Sequence, residues 1–250
     1  MNYSRPWMLG GLALMAAGAI LLWQQGRQPS AQADPPKPSA GDPYRWKELF
    51  DGKTLNGWKP TQFGGEGKVE VKDGRIVMEM GNMMTGITWA GEVLRNNYEL
   101  QLEGMRLDGS DFFCTTTFPV GKDPCTLVVG GWGGSVVGLS NVDYEDASEN
   151  VTTKTMSFKN KQWYRVRLRV TDAAIEAWID DQKMVDQPRK DHQFGIRMEC
   201  ELSRPLGIST WGASGAVRHI RVRALKPAEI RAVEEQEKRA AESDSRAGKE

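Results

Sequence analysis

The chain has few of the residues that most often carry catalysis or bind metals. It contains three cysteines and two histidines in 250 residues. His192 and His219 lie far apart and match no zinc-ligand spacing, so they predict no zinc site. Net charge is also lacking, because 33 basic side chains balance 33 acidic ones. Without a positive field to attract phosphates, a nucleic-acid partner is not expected.

Long apolar runs are confined to the N-terminus. Residues 7–23 carry no charge and are flanked by Arg5 and Arg27. This length lies between a signal-peptide core and a transmembrane helix, which needs about 17–25 residues. A small-x-small motif at residues 31–33 favours a cleaved signal, whereas the flanking tryptophans favour a membrane anchor. Both alternatives predict that residues 1–28 export the domain to the periplasm or cell envelope, either anchored or secreted.

The rest of the chain divides into three segments. Residues 29–45 form a proline-rich linker, since they hold five of the twelve prolines and few apolar side chains. Residues 46–226 show short period-two runs separated by Gly, Asn and Asp, which predict an all-β domain. Residues 227–250 are rich in Glu, Arg and Ala, which indicates a charged tail that is helical or disordered.

Two predicted strands carry complementary charges. In residues 98–103 the acidic side chains Glu99 and Glu103 share one face with Gln101. In residues 164–170 the arginines occupy the equivalent alternate positions. If the strands are neighbours, opposite charges face each other across the ladder and stabilise the sheet. A structural role explains both rows without a ligand.

Cys114 and Cys125 lie at similar distances from residues 119–120, where a hairpin is expected to reverse the chain. In an oxidising compartment this arrangement predicts a disulfide. The alternative is two buried thiols that pack as small hydrophobes, as expected for Cys200 in either case.

A set of motifs resembles one protein family. The matching segments are residues 49–59 (LFDGKTLNGWK), 71–76, 97–100, the strand at Trp163, 177–180 and 218–222. Together they cover about residues 46–225 and resemble the 3-keto-disaccharide hydrolase domain family of extracytoplasmic bacterial proteins. The resemblance implies a concanavalin A-like or laminin G-like jelly-roll β-sandwich. The apolar N-terminal run and the charged tail add an N-terminal hydrophobic helix and a polar C-terminal helix.

The family is associated with cleavage of sugars oxidised at carbon 3. The ketone acidifies the hydrogen on C2, so the resemblance implies a positioned base and a polarised carbonyl. Residues 109–115 differ from the Asn-Ser-Gly motif of typical members, and residues 206–212 lack their Asp-His-Gly sequence. Asp111 and Trp211 stand at these two positions, and we expect them to bind substrate.

A glycine-rich segment surrounds Trp132 at residues 130–134. It is no phosphate loop, because no Lys-Ser or Lys-Thr follows and no helix is indicated. Glycines let the backbone turn sharply, so Trp132 either projects as a stacking platform for a sugar ring or lies in a wide hairpin loop.

Glu199 and Glu201 are the best candidates for a catalytic acid and base. On a strand they would share one face about 6.6 Å apart, which is compatible with glycosidic chemistry. The alternative is a solvated strand face with Met198 and Cys200 turned inward.

Loop acids offer a possible metal site. Asp143, Glu145 and Asp146 lie close together and carry the hard oxygens that a divalent cation such as calcium prefers. They lack the alternation of an EF-hand, so a solvated loop is the alternative.

Three functions follow from these patterns. The first is a hydrolase or lyase of 3-keto glycosides in carbohydrate breakdown. The second is a non-catalytic carbohydrate-binding or adhesion module of the cell envelope, with the same tryptophans stacked on sugar. The third is an envelope structural protein that recruits partners through its tail. The sequence does not indicate an oligomeric state.

Overall fold

The computed structural model describes residues 42–247. The segments with alternating apolar and polar residues form strands of two antiparallel sheets. The predicted all-β sandwich is confirmed at this level, and the more specific jelly-roll assignment stays a prediction. The predicted signal or anchor helix lies outside the described residues. Within the described part, no helix is long and apolar enough to cross a membrane.

The described chain contains fifteen strands, one 3-10 helix and a C-terminal α-helix. The strands are Lys47–Glu48 (β1), Trp58–Pro60 (β2), Val69–Lys72 (β3), Arg75–Met78 (β4), Thr85–Trp89 (β5), Tyr98–Gly109 (β6), Thr115–Val120 (β7), Asp123–Gly131 (β8), Val136–Ser140 (β9), Lys154–Thr155 (β10), Trp163–Val170 (β11), Ala174–Ile179 (β12), Gln182–Pro188 (β13), Gly207–Thr210 (β14) and Ala213–Ala224 (β15). The 3-10 helix is Met198–Ser203, and the α-helix is Pro227–Ala247 (α1).

The eight-stranded sheet has the order β13-β12-β11-β6-β15-β4-β3, and β1 pairs with β15. The seven-stranded sheet has the order β10-β9-β8-β7-β14-β5-β2. The long strands β6 and β15 lie side by side in the first sheet. The strands β7, β8, β9 and β14 form the middle of the second sheet and carry the candidate site described below.

One hydrophobic core fills the space between the sheets. In β11, Tyr164, Val166 and Leu168 are buried, while the arginines between them are more exposed. Phe113, in the connection between β6 and β7, contacts Phe158, which precedes β11, edge to face, with ring centroids 5.2 Å apart. The buried residues of both sheets belong to a single cluster, so the two layers fold around one core.

A charge ladder crosses the outer face of the eight-stranded sheet. Strand β6 lies between β11 and β15, so the predicted acidic and basic rows are neighbours. Glu99 accepts hydrogen bonds from Arg167 at 2.5 Å and from Arg223 at 2.6 Å. The Glu99 side chain is only 2% exposed, so its carboxylate is a buried ion-pair partner and not a solvated one. The structural role expected for these rows is therefore supported by the pairing of the strands.

Helix α1 begins beside this ladder. Glu229, in its first turn, accepts hydrogen bonds from both terminal nitrogens of Arg223. The hydrogen bond from Arg223 lowers the pKa of Glu229 to about 2, and partial burial opposes it only in part. Val233 is buried as well, so the first turns of the tail are packed against the domain.

The predicted disulfide is wrong, because all three cysteines are free thiols. The hairpin between β7 and β8 pairs Val120 with Asp123, so the chain reverses two residues later than expected. Cys125 then faces Phe118 across the ladder, and Cys114 precedes β7. Burial raises the pKa of Cys125 to about 12, as expected for thiols that pack as small hydrophobes.

Candidate functional site

A depression of about 210 Å³ lies over the outer face of the seven-stranded sheet. In β8, Cys125, Leu127 and Val129 belong to the core, so the alternate residues Thr126 and Val128 project to the opposite face. The floor therefore comes from the middle strands, and the walls come from the loops at their ends. The lining residues are Met84, Asp111, Phe112, Thr115, Thr126, Val128, Trp132, Ser140, Arg197, Glu199, Cys200 and Trp211.

Hydroxyl groups make the floor polar although it is buried. Thr126 and Thr117 share a hydrogen bond of 3.0 Å, and the Ser140 hydroxyl donates to Oδ1 of Asn141 at 2.9 Å. Thr115 accepts a hydrogen bond from the amide of Val129 at 3.2 Å. A ligand that carries hydroxyls finds donors and acceptors here that are held in place by neighbouring strands.

Trp132 projects from the turn between β8 and β9 and is 43% exposed. Its φ of +49° and the φ of +84° at Gly133 bend the chain sharply. A side chain at Gly134 would put its Cβ 2.4 Å from the carbonyl oxygen of Ser110, so this position requires glycine. The glycine-rich segment thus presents the indole of Trp132 at the surface. This agrees with the first of the two predictions from the sequence, in which Trp132 projects from the turn.

Asp111 ties this turn to the connection between β6 and β7. Its Oδ2 accepts a hydrogen bond from the amide of Gly133 at 3.0 Å, and its Oδ1 accepts one from Phe112 at 2.7 Å. The carbonyl of Phe112 in turn accepts a hydrogen bond from the amide of Trp211 at 3.0 Å. Two adjacent residues therefore position both exposed tryptophans of the depression.

Arg197 and Glu199 form a charged wall. Arg197 donates one hydrogen bond to Glu199 at 3.0 Å and another to Asp146 at 2.7 Å. The hydrogen bond from Arg197 lowers the pKa of Glu199, so this carboxylate is ionised at neutral pH. Partial burial raises the pKa of Asp146, but hydrogen bonds from Ser148 and the charge of Arg197 outweigh it and lower the pKa overall.

The structure separates the predicted acid and base. Residues 198–203 form a 3-10 helix and not the expected strand, with three residues per turn. Glu199 and Glu201 therefore point in different directions around the helix axis. Glu199 lines the depression, whereas Glu201 is 57% exposed, pairs with Arg204 at 2.7 Å and is absent from the lining. The expectation that both glutamates share one face is wrong.

The predicted calcium site is not formed. Asp143 accepts hydrogen bonds from His192 at 2.6 Å and from the amide of Gln193 at 2.8 Å. Asp146 is engaged by Arg197, and Glu145 is exposed. Within residues 42–247, no group of three or more His, Cys, Asp or Glu side chains is arranged to hold a metal ion. The loop acids hold the loop together instead of gathering around a cation.

Sequence reasoning missed Arg197 and the hydroxyls of the floor. Arg197 stands two residues before Glu199, so its long side chain was a visible candidate to pair with that carboxylate. Thr126 and Ser140 gave no signal, because threonine and serine are common on any half-buried strand. Asp111, Trp132, Trp211 and Glu199 were predicted, and the structure brings all four into one depression.

The fold and the depression define a β-sandwich domain in which exposed indoles and hydrogen-bonding groups line one cavity. Such a lining is typical of sites for amphipathic ligands such as sugars. Residues 45–223 match the 3-keto-alpha-glucoside-1,2-lyase-like domain. The chain belongs to this family, which confirms the resemblance found in the sequence. No curated protein matches the chain.

Solved structures show a similar fold at low sequence identity. The Crh5 transglycosylase in complex with NAG has a TM-score of 0.52 and 13% identity, over 73% of this chain and 84% of that chain. The apo form of Crh5 has a TM-score of 0.50 and 12% identity, over 73% of this chain and 85% of that chain. The carbohydrate-binding module CBM66 from Bacillus subtilis has a TM-score of 0.45 and 11% identity, over 67% and 96%. At these identities the likeness to Crh5 shows the fold alone.

Proposed function

We propose that the domain is a lyase that cleaves 3-keto glycosides at the bond between C1 and the leaving oxygen. The observation that carries the proposal is the ion pair of Glu199 with Arg197, which lines the same depression as two exposed tryptophans. Family membership supports the same substrate class. The fold would then be the concanavalin A-like jelly roll expected from the sequence.

The proposed reaction uses one carboxylate as a base. Glu199 takes the proton from C2, which the neighbouring ketone has acidified, and the electron pair of the C–H bond forms an enolate on the C3 oxygen. When the ketone re-forms, a double bond appears between C1 and C2, and the C1–O bond breaks. The leaving oxygen keeps the electron pair and takes a proton from water, and protonated Glu199 gives its proton to the hydroxide that remains, which restores the base. This elimination does not need a second carboxylate beside Glu199.

Arg197 is the proposed partner of the developing negative charge. A guanidinium carries five N–H donors, and the hydrogen bonds to Asp146 and Glu199 occupy two of them. The remaining donors can stabilise the enolate oxygen, since a fixed positive group is most effective where charge develops. Asp146 and Glu199 hold the guanidinium in position before substrate binds.

Trp132 and Trp211 are the proposed stacking surfaces for the sugar ring. Both are partly exposed, and the Asp111–Phe112 segment fixes the backbone of both loops. At about 210 Å³ the depression is smaller than the roughly 300–1,000 Å³ of sites for drug-sized ligands. It therefore suits one sugar ring, whose hydroxyls would reach Thr126 and Ser140.

A second candidate function is a carbohydrate-binding module without catalysis. The lowered pKa of Glu199, caused first by the hydrogen bond from Arg197, favours it, because a weakly basic carboxylate gives little driving force for proton transfer. The separation of Glu199 from Glu201 also removes the two-carboxylate mechanism. In this alternative, the same tryptophans bind sugar and no bond is broken.

The two candidates are distinguished with the full chain and a 3-keto disaccharide, with and without chelator. Release of a monosaccharide by the wild type and by Glu201→Gln, but not by Glu199→Gln, supports the lyase. Glu201 is the matched control, because it lies on the same 3-10 helix outside the depression. Sugar binding with no release under any metal condition supports the binding module.

We also propose that the domain works outside the cytoplasm, in the periplasm or cell envelope. The support is the apolar segment at residues 7–23, which is expected to act as a signal or anchor.

A further inference from the structure

A second depression adjoins the first along the charged wall. It has a volume of about 560 Å³ and is lined by Asn141, Ile196, Arg197, Met198 and Glu199. Arg197 and Glu199 line both depressions. A ligand that extends past the ion pair therefore passes from one depression into the other.

Two of the three residues that line only the second depression are apolar, namely Ile196 and Met198. Met198 is 89% exposed, which is unusual for a large hydrophobic side chain, and Ile196 is half-buried beside it. Methionine is flexible and polarisable, so it adapts to varied apolar surfaces and contacts aromatic rings favourably. An exposed methionine that lines a depression next to a binding site is a candidate contact for ligand.

Asn141 adds a polar group that is already engaged. Its Oδ1 accepts a hydrogen bond from Ser140 at 2.9 Å, and its Nδ2 donates to the carbonyl of Tyr144 at 3.3 Å. Glu199 and Arg197 are bonded to each other. In the proposed reaction the remaining donors of Arg197 serve the enolate oxygen. A second sugar ring would therefore find few further groups for its hydroxyls here, whereas an aromatic or alkyl group would contact Ile196 and Met198.

We propose that the second depression binds the leaving group of the substrate, and that this group is an apolar aglycone, aromatic or alkyl, rather than a second sugar. The inference rests on the proposed lyase function. It also agrees with the chemistry of that function, because Glu199 borders both depressions. The bond between sugar and aglycone would cross the ion pair, where the base must reach the hydrogen on C2.

Met198 is then a specificity-determining residue, and Leu202 provides its matched control. Leu202 lies on the same 3-10 helix and is 56% exposed, but it lines neither depression. Replacing either residue by serine shortens an exposed apolar side chain on this helix. Only Met198→Ser should change the choice of leaving group.

The experiment compares a phenyl 3-keto-glucoside with a 3-keto disaccharide on the full chain. For the phenyl substrate, Met198→Ser should lower kcat/KM about three- to tenfold, as expected from losing some tens of Å² of apolar contact. It should leave the disaccharide unchanged, and Leu202→Ser should leave both unchanged. An equal effect on both substrates, or no effect on either, would overturn the inference while leaving the lyase function intact.

Binding provides a readout that separates the two proposals. If the wild type turns over neither substrate, the lyase function is wrong, and the dissociation constants of phenyl glucoside and a disaccharide remain measurable. Weaker binding of phenyl glucoside alone by Met198→Ser would still support an apolar subsite. Equal affinities of wild type and Met198→Ser for phenyl glucoside would reject it.

Discussion

Arg197 donates a hydrogen bond to Glu199 at 3.0 Å, and this pair forms the border between two adjoining depressions. The pair places an ionised carboxylate and a partly engaged guanidinium where a sugar and its substituent would meet. In the proposed elimination, these two charges act on the C2 hydrogen and on the C3 oxygen.

The pH profile should depend on Arg197. Its hydrogen bond lowers the pKa of Glu199 from the usual 4.5, so Glu199 stays unprotonated, and active as a base, until the pH falls through the lowered value. Arg197→Met removes this stabilisation, so the acid limb of kcat/KM should move to higher pH. Arg204→Met removes the partner of Glu201 and should leave the limb in place. An unchanged limb in Arg197→Met would argue against Glu199 as the base.

Asp111 should matter through the turn that it holds. Asp111→Ala removes the acceptor for the amides of Phe112 and Gly133, and each lost hydrogen bond costs about 0.5–1.5 kcal/mol. We expect a small loss of stability by urea unfolding and a weaker affinity for sugar, because Trp132 is no longer held. Asp108→Asn, at an exposed position nearby, should change neither quantity. Full sugar affinity in Asp111→Ala would contradict this role.

The tryptophans should separate into binding and core residues. Trp132→Ala and Trp211→Ala should weaken sugar binding about tenfold, or about 1.4 kcal/mol, with little change in thermal stability. Trp58 is buried, donates to the carbonyl of Leu49 at 2.8 Å and packs edge to face on Trp89. Trp58→Ala should therefore destabilise the fold by about 3–5 kcal/mol. Calorimetric binding and unfolding measurements on the same variants test both statements.

The charge ladder should contribute strongly to stability. Glu99→Ala leaves Arg167 and Arg223 without their shared carboxylate, and breaking a buried pair costs about 3–5 kcal/mol. Because Arg167 is partly exposed, we expect the lower end, about 3 kcal/mol, in urea unfolding. Glu235→Ala, which removes an exposed pair with Arg239 in α1, should cost less than about 0.5 kcal/mol. Similar losses in the two variants would contradict the assignment of Glu99 as a buried ion-pair partner.

All three cysteines should react as thiols. Alkylation of the denatured, unreduced chain should label Cys114, Cys125 and Cys200, as counted by mass spectrometry. In the native chain, burial should slow the labelling of Cys114 and Cys125. If only one cysteine were labelled in the denatured chain, the other two would be joined in a disulfide, which would contradict the three free thiols of the structure.

Much of the sandwich was predictable, because a strand that faces the core on one side repeats with a period of two. This pattern indicated the strands at residues 98–103 and 164–170, which are parts of β6 and β11. It failed at residues 198–203, where the 3-10 helix has the same mixture of polar and apolar residues as a half-buried strand. The wrong prediction of a strand here placed Glu201 on the same face as Glu199.

The candidate site was predictable where a residue had an unusual local context. Trp132 lies among glycines, and Asp111 and Trp211 occupy positions that the family resemblance marked. The hydrogen-bond partners of the site residues were not predictable, because the two residues of each pair are distant in sequence. Asp146 reaches Arg197 across 51 positions, and Asp111 reaches Gly133 across 22, so only the folded chain brings them together.

The most direct test of the central claim follows the hydrogen on C2 of a 3-keto glycoside in D₂O. The substrate is incubated with the full chain, with Glu199→Gln and with no protein. The leaving group and the 3-keto product, which contains C2, are then analysed by NMR at early times. The account predicts release by the wild type with loss of the original C2 hydrogen, and no release by Glu199→Gln. Release of the leaving group with the C2 hydrogen retained, or unchanged release by Glu199→Gln, would contradict it.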